Sequence, residues 1–190
     1  MDILLRPAGV GDLTGVGTLH HRSRVAAYQD FIPMDALTMF PAEALESWWT
    51  ERWSYERDTH LLTVAERDGR LVGFTYVGPY QDPDADEVTS TAAPDESGTP
   101  VAEHAGLGEL YAIHLDPAEQ GRGTGRILMR DALTKLHQRG WREAGLWVYA
   151  ENARARRFYE RGGWRHHGVE RDGMVGSFVA RQLYYRRPLP

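Results

Sequence analysis

The sequence predicts a mixed α/β (α+β) fold built around one sheet, and three observations carry that expectation. Strand-like and helix-like segments alternate in the order β-α-α-β-β-β-α-β-α-β-β. Two apolar runs, His60 to Glu66 and Arg70 to Tyr80, are separated only by Arg67-Asp68-Gly69, a tight hairpin signal. Asp116 to Gly125, DPAEQGRGTG, joins an apolar strand to an amphipathic helix through three glycines.

Each element has its own warrant. Ile3 to Arg6 is a short strand, and Asp12 is placed to cap a helix running to about Arg24. Ala42 to about Trp53 carries Leu45, Trp48, Trp49 and Trp53 at helical spacing, aromatics expected in the core rather than around a ligand. After the hairpin, Gly108 to Leu115 reads as a strand. A helix from about Gly123 to Gln138 follows, with Ile127, Leu128, Leu133 and Leu136 on one side and Gly140 as its stop. Ala144 to Tyr149 is a strand and Asn152 to Arg161 a helix. The Trp164 region and Ser177 to Arg186 close the sheet. One domain spanning 1–190 is expected, with no internal repeat.

Composition narrows the function classes. Hydrophobic residues make up 42% of 190 positions and mean hydropathy is −0.51, values of a water-soluble globular chain. No apolar run is long enough to span a bilayer and Ile3 to Leu5 is too short for a secretory signal, so a cytoplasmic protein with no membrane partner is expected. Cysteine is absent, which excludes disulfides, thiolate metal sites and a Cys-acyl intermediate. Residues 82–103 hold seven acids and no Lys or Arg; without them the formal net charge of −5 becomes +2. Rich in Pro, Ser and Thr and without periodicity, 82–107 reads as an acidic flexible loop, either a solvated insertion or an electrostatic collar for a cationic amine. Net acidity and the lack of a basic stripe disfavour nucleic acid. The pairs His20-His21 and His166-His167 diverge on any regular element and have no completing carboxylate, so no metal is expected.

The glycine-rich turn is the main chemical signal. A helix N-terminus offers unpaired N–H groups and a positive dipole end, and glycines let the main chain approach a bulky anion. Gly121, Gly123 and Gly125 supply that freedom around Thr124, and Arg122 and Arg126 add charge. The dinucleotide fingerprint fails on spacing, and a Walker A loop fails because the chain's one lysine is Lys135. The pattern that fits is Q-x-x-G-x-G: Gln120, Gly123, Gly125.

Glu109 to Gly125 (ELYAIHLDPAEQGRGTG) followed by Asn152 to Trp164 (NARARRFYERGGW) resembles the two signature blocks of the GNAT superfamily of acyl-CoA-dependent N-acyltransferases. Weaker echoes occur in ILLRPAGVGDL near the start, in SRVAAYQDFIP from Ser23 to Pro33, and in the ending LYYRRPL. The resemblance implies a mostly antiparallel sheet of six to seven strands, about four flanking helices and a splayed pair of central strands. It also implies acetyl-CoA as co-substrate, held by Gln120 to Arg126, by Asn152, Ala155, Arg157 and Tyr159, and by main-chain groups of Ile113, His114 and Leu115.

Acyl transfer to an amine needs a base, an anchored donor, carbonyl stabilisation and a proton for the leaving thiolate. Glu109 lies eleven residues before Gln120, a spacing similar to that of the base glutamate in some family members. Read alone, it is an exposed strand-end carboxylate. Strand alternation puts Tyr111, Ile113 and Leu115 on its side and His114 on the other unless a bulge intervenes, as it often does in the family. Tyr159 matches the family tyrosine beside the cofactor sulfur and is the candidate acid. Asn152 is both a natural N-cap and, by resemblance, a pantetheine contact. Arg154, Arg156 and Arg157 are candidates for nucleotide phosphates. Tyr28, Phe31 and Tyr111, with Asp30 and Asp35, are candidates for the acceptor pocket. The expected activity is acetylation of a small-molecule primary amine, such as a polyamine, an amino acid derivative or an amine antibiotic, by direct attack in a ternary complex. A protein N-terminal or lysine acetyltransferase and a silent CoA-binding sensor stay open as alternatives. The resemblance also allows a homodimer.

Overall fold

The computed structural model describes residues 2–81 and 106–190. Most of the acidic stretch 82–107 lies outside them. Seven strands form one sheet in the order β1-β2-β3-β4-β5-β7-β6, comprising β1 (Leu4–Pro7), β2 (Leu61–Arg67), β3 (Arg70–Pro79), β4 (Leu107–Leu115), β5 (Glu143–Tyr149), β6 (Arg165–Val175) and β7 (Phe178–Pro188). Neighbours are antiparallel except β4 and β5. Around the sheet lie α1 (Leu13–Tyr28), α2 (Met34–Thr38), α3 (Ala42–Glu56), α4 (Thr124–Gln138) and α5 (Ala153–Arg161). The expected mixed, mostly antiparallel sheet is present, with five helices rather than about four.

Sequence and structure agree where the signal is local. The β2–β3 hairpin closes on Asp68 and Gly69, both at positive φ (53° and 73°), a pair the strand twist favours. The parallel step from β4 to β5 requires a crossover, and α4 supplies it. One sheet face packs on α4 and α5 through Leu110, Met129, Leu133, Leu136, Leu146, Trp164 and Tyr185. The other packs on α1 and α3 through Val16, Leu19, Trp49, Val64, Phe74 and Tyr76.

Several expectations are corrected. The first helix continues to Tyr28, and Asp12 does not cap it: the Asp12 carboxylate accepts two 2.7 Å bonds from Arg6 and one from the Gly9 N–H. Short α2 packs on the β6–β7 hairpin through Ala36 and Leu37. Trp48 is 41% exposed and Ile127 40%; Trp49 occupies the core, and Met129 and Ala132 fill the α4 face.

Most important is β4. Ala112 pairs with Tyr76 and Leu110 with Val77, so Tyr111 is the extra residue of a bulge. The bulge resets alternation. Ile113 and Leu115 turn to the α4 side, whereas His114 joins Tyr111 on the α1 side, the reverse of regular alternation. Beyond it the two central strands part: β4 and β5 pair only over Leu107–Glu109 and Glu143–Gly145.

Candidate active site

The open wedge between β4 and β5 organises the site, and Glu109 stands at its closed end, in register with Gly145. A Cβ at position 145 would lie 2.1 Å from the Tyr184 hydroxyl, so glycine there makes room for Tyr184 beside Glu109. That hydroxyl is buried with no hydrogen-bond partner among the described residues. Glu109 is 5% exposed, accepts a hydrogen bond from the Gln81 N–H, and makes no direct ion pair among the described residues. Burial raises its carboxyl to about 7 against the partial opposition of Arg171 and Arg52. A carboxylate so poised exchanges a proton near neutral pH.

Two cationic clusters flank it. The Arg52 guanidinium lies 5.1, 4.9 and 5.1 Å from the ring centroids of Trp48, Tyr76 and Tyr111, and its Nε donates to Glu56 at 2.6 Å. Tyr111 donates its hydroxyl to the Pro79 carbonyl, which ties it to the wall of the cleft. Arg171 stacks 4.0 Å from the centre of Trp147 and donates to Gln182. Tyr28, Phe31 and Tyr149 pack as a trio at 5.1 to 6.4 Å between ring centres, at the open end of the wedge. Asp30 and Asp35 are exposed and outside this trio; Asp35 accepts from the Ala36 N–H at the start of α2.

The glycine-rich turn has the form of an anion cradle. Gly121 and Gly123 take φ of 80° and 87°, and a Cβ at either would meet nothing within 4 Å, so their outer face is open space. Gly123 is the N-cap of α4, where it leaves helix N–H groups pointing outward. Gly125 serves packing, since a Cβ there would stand 3.1 Å from Leu115. Thr124 is fully buried and donates its hydroxyl to Glu119 at 2.8 Å, so what it offers the cradle is its main chain. Glu119, 5% exposed, also accepts from Arg67 at 3.2 and 3.1 Å. Burial opposes its ionisation, but Thr124 and Arg67 outweigh that and hold its carboxyl below the ordinary value. Arg122 and Arg126 are exposed around the turn, and Arg154 donates to Gln120 from α5.

The second block forms α5. Asn152 caps it, accepting from the Ala155 N–H at 3.0 Å. Arg157 is exposed, but Arg156 turns inward to the Tyr185 hydroxyl and the Ala150 carbonyl and is removed from the phosphate candidates. Tyr159 packs against Phe158 and Trp164, and its hydroxyl has no hydrogen-bond partner among the described residues. Burial raises it well above the ordinary phenol value. His114 bonds Ser23 Oγ through Nδ1 at 2.6 Å, and burial, then Arg24, lowers it to about 4, so it is neutral. Arg67, Arg24, Trp147, Arg171 and Tyr184 carry no short-range sequence signal, and Glu119 meets Arg67 across 52 positions.

Among the described residues no group of three or more His, Asp or Glu side chains is arranged to hold a metal, and no helix is long and apolar enough to cross a membrane. The residues do fit a CoA-like ligand: an open cradle at a helix N-terminus and a strand edge of β4 left unpaired beyond Glu109.

A splayed central pair, a β4 bulge and a Gly-lined helix entry are the features the GNAT resemblance implies for the fold. A profile of the acetyltransferase (GNAT) family matches residues 26–164, and the chain belongs to that family. It is 37% identical over 125 residues to a mycothiol acetyltransferase of Acidothermus cellulolyticus, covering 66% of this chain and 33% of that protein. It is 33% identical over 108 residues to an uncharacterized N-acetyltransferase of Archaeoglobus fulgidus, covering 57% and 62%. The chain thus matches about a third of the length of the mycothiol enzyme. Among solved structures, the PaiA N-acetyltransferase of Thermoplasma acidophilum in complex with coenzyme A has a TM-score of 0.74 at 16% identity over 99% of both chains. A phosphinothricin acetyltransferase of Sinorhizobium meliloti in complex with AcCoA has 0.69 at 19%, over 100% of this chain and 89% of that one. These two likenesses establish the fold.

Proposed function

We propose that the protein acetylates a primary amine of a small molecule by direct attack, with Glu109 as base and Tyr159 as acid. Acetyl-CoA, held by the main chain of Gln120 to Arg126 and the free edge of β4, supplies an acetyl group already activated as a thioester. Glu109 accepts the amine proton, directly or through water. Tyr159 keeps its hydroxyl proton through the neutral range and has it available for a leaving thiolate. Tyr28, Phe31 and Tyr111 wall the acceptor side.

The observation that carries the reading is Glu109: a carboxylate buried at the apex of the wedge, without an ion-pair partner among the described residues, raised to about 7. The small-molecule acceptor is supported by relatives named for mycothiol. The test is CoA release from acetyl-CoA across a panel of small primary amines, with product mass as confirmation. The chain has no thiol of its own to raise the background. Release with at least one amine, lost in Glu109→Gln, is expected. No release with any amine, in protein that binds acetyl-CoA, sinks the proposal.

A further inference from the structure

The splayed strands enclose a cation that has no counter-ion among the described residues. Arg24, on the inner face of α1, is 9% exposed. Its Nη2 donates to the Leu37 carbonyl of α2 at 2.7 Å, and among the described residues its Nε, sealed from solvent, and its Nη1 have no partner. The titratable groups facing it are Tyr28 of its own helix, His20 one turn back, His114 of β4 and Tyr149 of β5. It therefore has one strand of the parted pair on each side. Burial keeps both tyrosines protonated and His20 and His114 neutral, so none of these neighbours is an anion. The ion pairs of the described residues all lie elsewhere, on Arg6, Arg22, Arg52, Arg67, Arg122, Lys135, Arg181 and Arg186.

A guanidinium does not shed its proton in a protein, and burying one against a single carbonyl is unfavourable unless an anion completes the site. Its planar fork matches a carboxylate, which it binds through two parallel hydrogen bonds. Resting on the acetyl-transfer reading above, we infer that Arg24 binds the carboxylate of the acceptor, which makes the acceptor an amino acid or peptide-like amine rather than a polyamine. The aromatic trio beside Arg24 then faces the body of that acceptor.

The test uses L-amino acids and their α-carboxamides as paired acceptors, with N-acetyl-L-amino acids and N-acetyl amino acid amides as binding probes on CoA-saturated protein. Wild type is expected to favour the carboxylate member by at least about tenfold in kcat/KM, since each good charge-assisted contact is worth about that much. Arg24→Met should bring the ratio close to one, and Arg24→Lys should retain part of it. N-acetyl amino acids should raise the Tm of wild type but not of Arg24→Met, while the amides raise neither. Arg24→Met, which removes a buried charge unpaired among the described residues, should fold with a Tm at or above that of wild type. Turnover of amines with a carboxylate-to-amide ratio unchanged by Arg24→Met overturns the assignment and leaves the acetyltransferase reading standing. Loss of CoA binding in Arg24→Met with that ratio intact overturns it too, because the anion then belongs to the cofactor. Arg24-dependent binding of the N-acetyl acids with no turnover of any amine supports the anion site and removes the acetyltransferase reading instead.

Discussion

Replacing Glu109 with glutamine should move activity and stability in opposite directions. Burial raises the carboxyl from an ordinary 4.5 to about 7, with 5% of the residue exposed. A raised acid contributes its full stability below its unfolded value and loses it as pH rises through the folded one. Between pH 4.5 and 8 the loss amounts to about 3 kcal/mol, because the fold must then hold a desolvated carboxylate. Glutamine keeps the shape and does not ionise. At pH 8 the variant should therefore melt about 5 °C or more above wild type, at about 2–4 °C per kcal/mol for a chain of this size, and at pH 5 the two should nearly coincide. Its kcat/KM should fall by about 10²-fold or more, and the wild-type rise in kcat/KM through about pH 7 should disappear. The assays are differential scanning calorimetry from pH 5 to 8 and CoA release over the same range. A variant less stable at both ends, or one that keeps wild-type kcat/KM, would refute the link between burial and base strength.

Three further outcomes are expected. Glu119→Ala strands the buried Thr124 hydroxyl and half-buried Arg67 and should cost about 2–4 kcal/mol by thermal unfolding at pH 7; because Arg67 and Thr124 hold Glu119 below its ordinary value, the difference should shrink as pH falls below the ordinary carboxylate range. In wild type, acetyl-CoA at about 100 times its Kd should add about 2.7 kcal/mol of stability, a shift that Gly123→Glu abolishes by placing a carboxylate in the cradle at a left-handed position. Tyr159→Phe should lower kcat by about tenfold or more with the acetyl-CoA-induced shift in Tm unchanged, and full kcat in that variant would remove Tyr159 from the chemistry.

What was legible in the sequence is what neighbouring residues decide. The hairpin at Asp68-Gly69, the strand-to-helix entry at Gly123 and the Asn152 cap each rest on side chains within three or four positions of one another. What was not legible depends on distant partners. The bulge at Tyr111, which moves His114 to the α1 side, is visible only in the register with Tyr76 and Val77. Glu119 meets Arg67 across 52 positions, and nothing local marks either as the support of the cradle. Asp12 has capping chemistry, but Arg6 competes for the same oxygens and wins them. At five residues, α2 is too short for periodicity to declare it; its packing on the β6–β7 hairpin explains its presence.

The three-residue contact between β4 and β5 has a consequence for how the molecule holds together. The two halves of the sheet are clasped at one end like the legs of a compass, so each leg presents an inner edge whose main-chain groups the other leg does not pair. An extended ligand with its own amide groups would pair along such an edge as an added strand. Amide exchange along Ala112 to Leu115 should accordingly slow on ligand binding more than in β2 or β3, whose pairings are already complete.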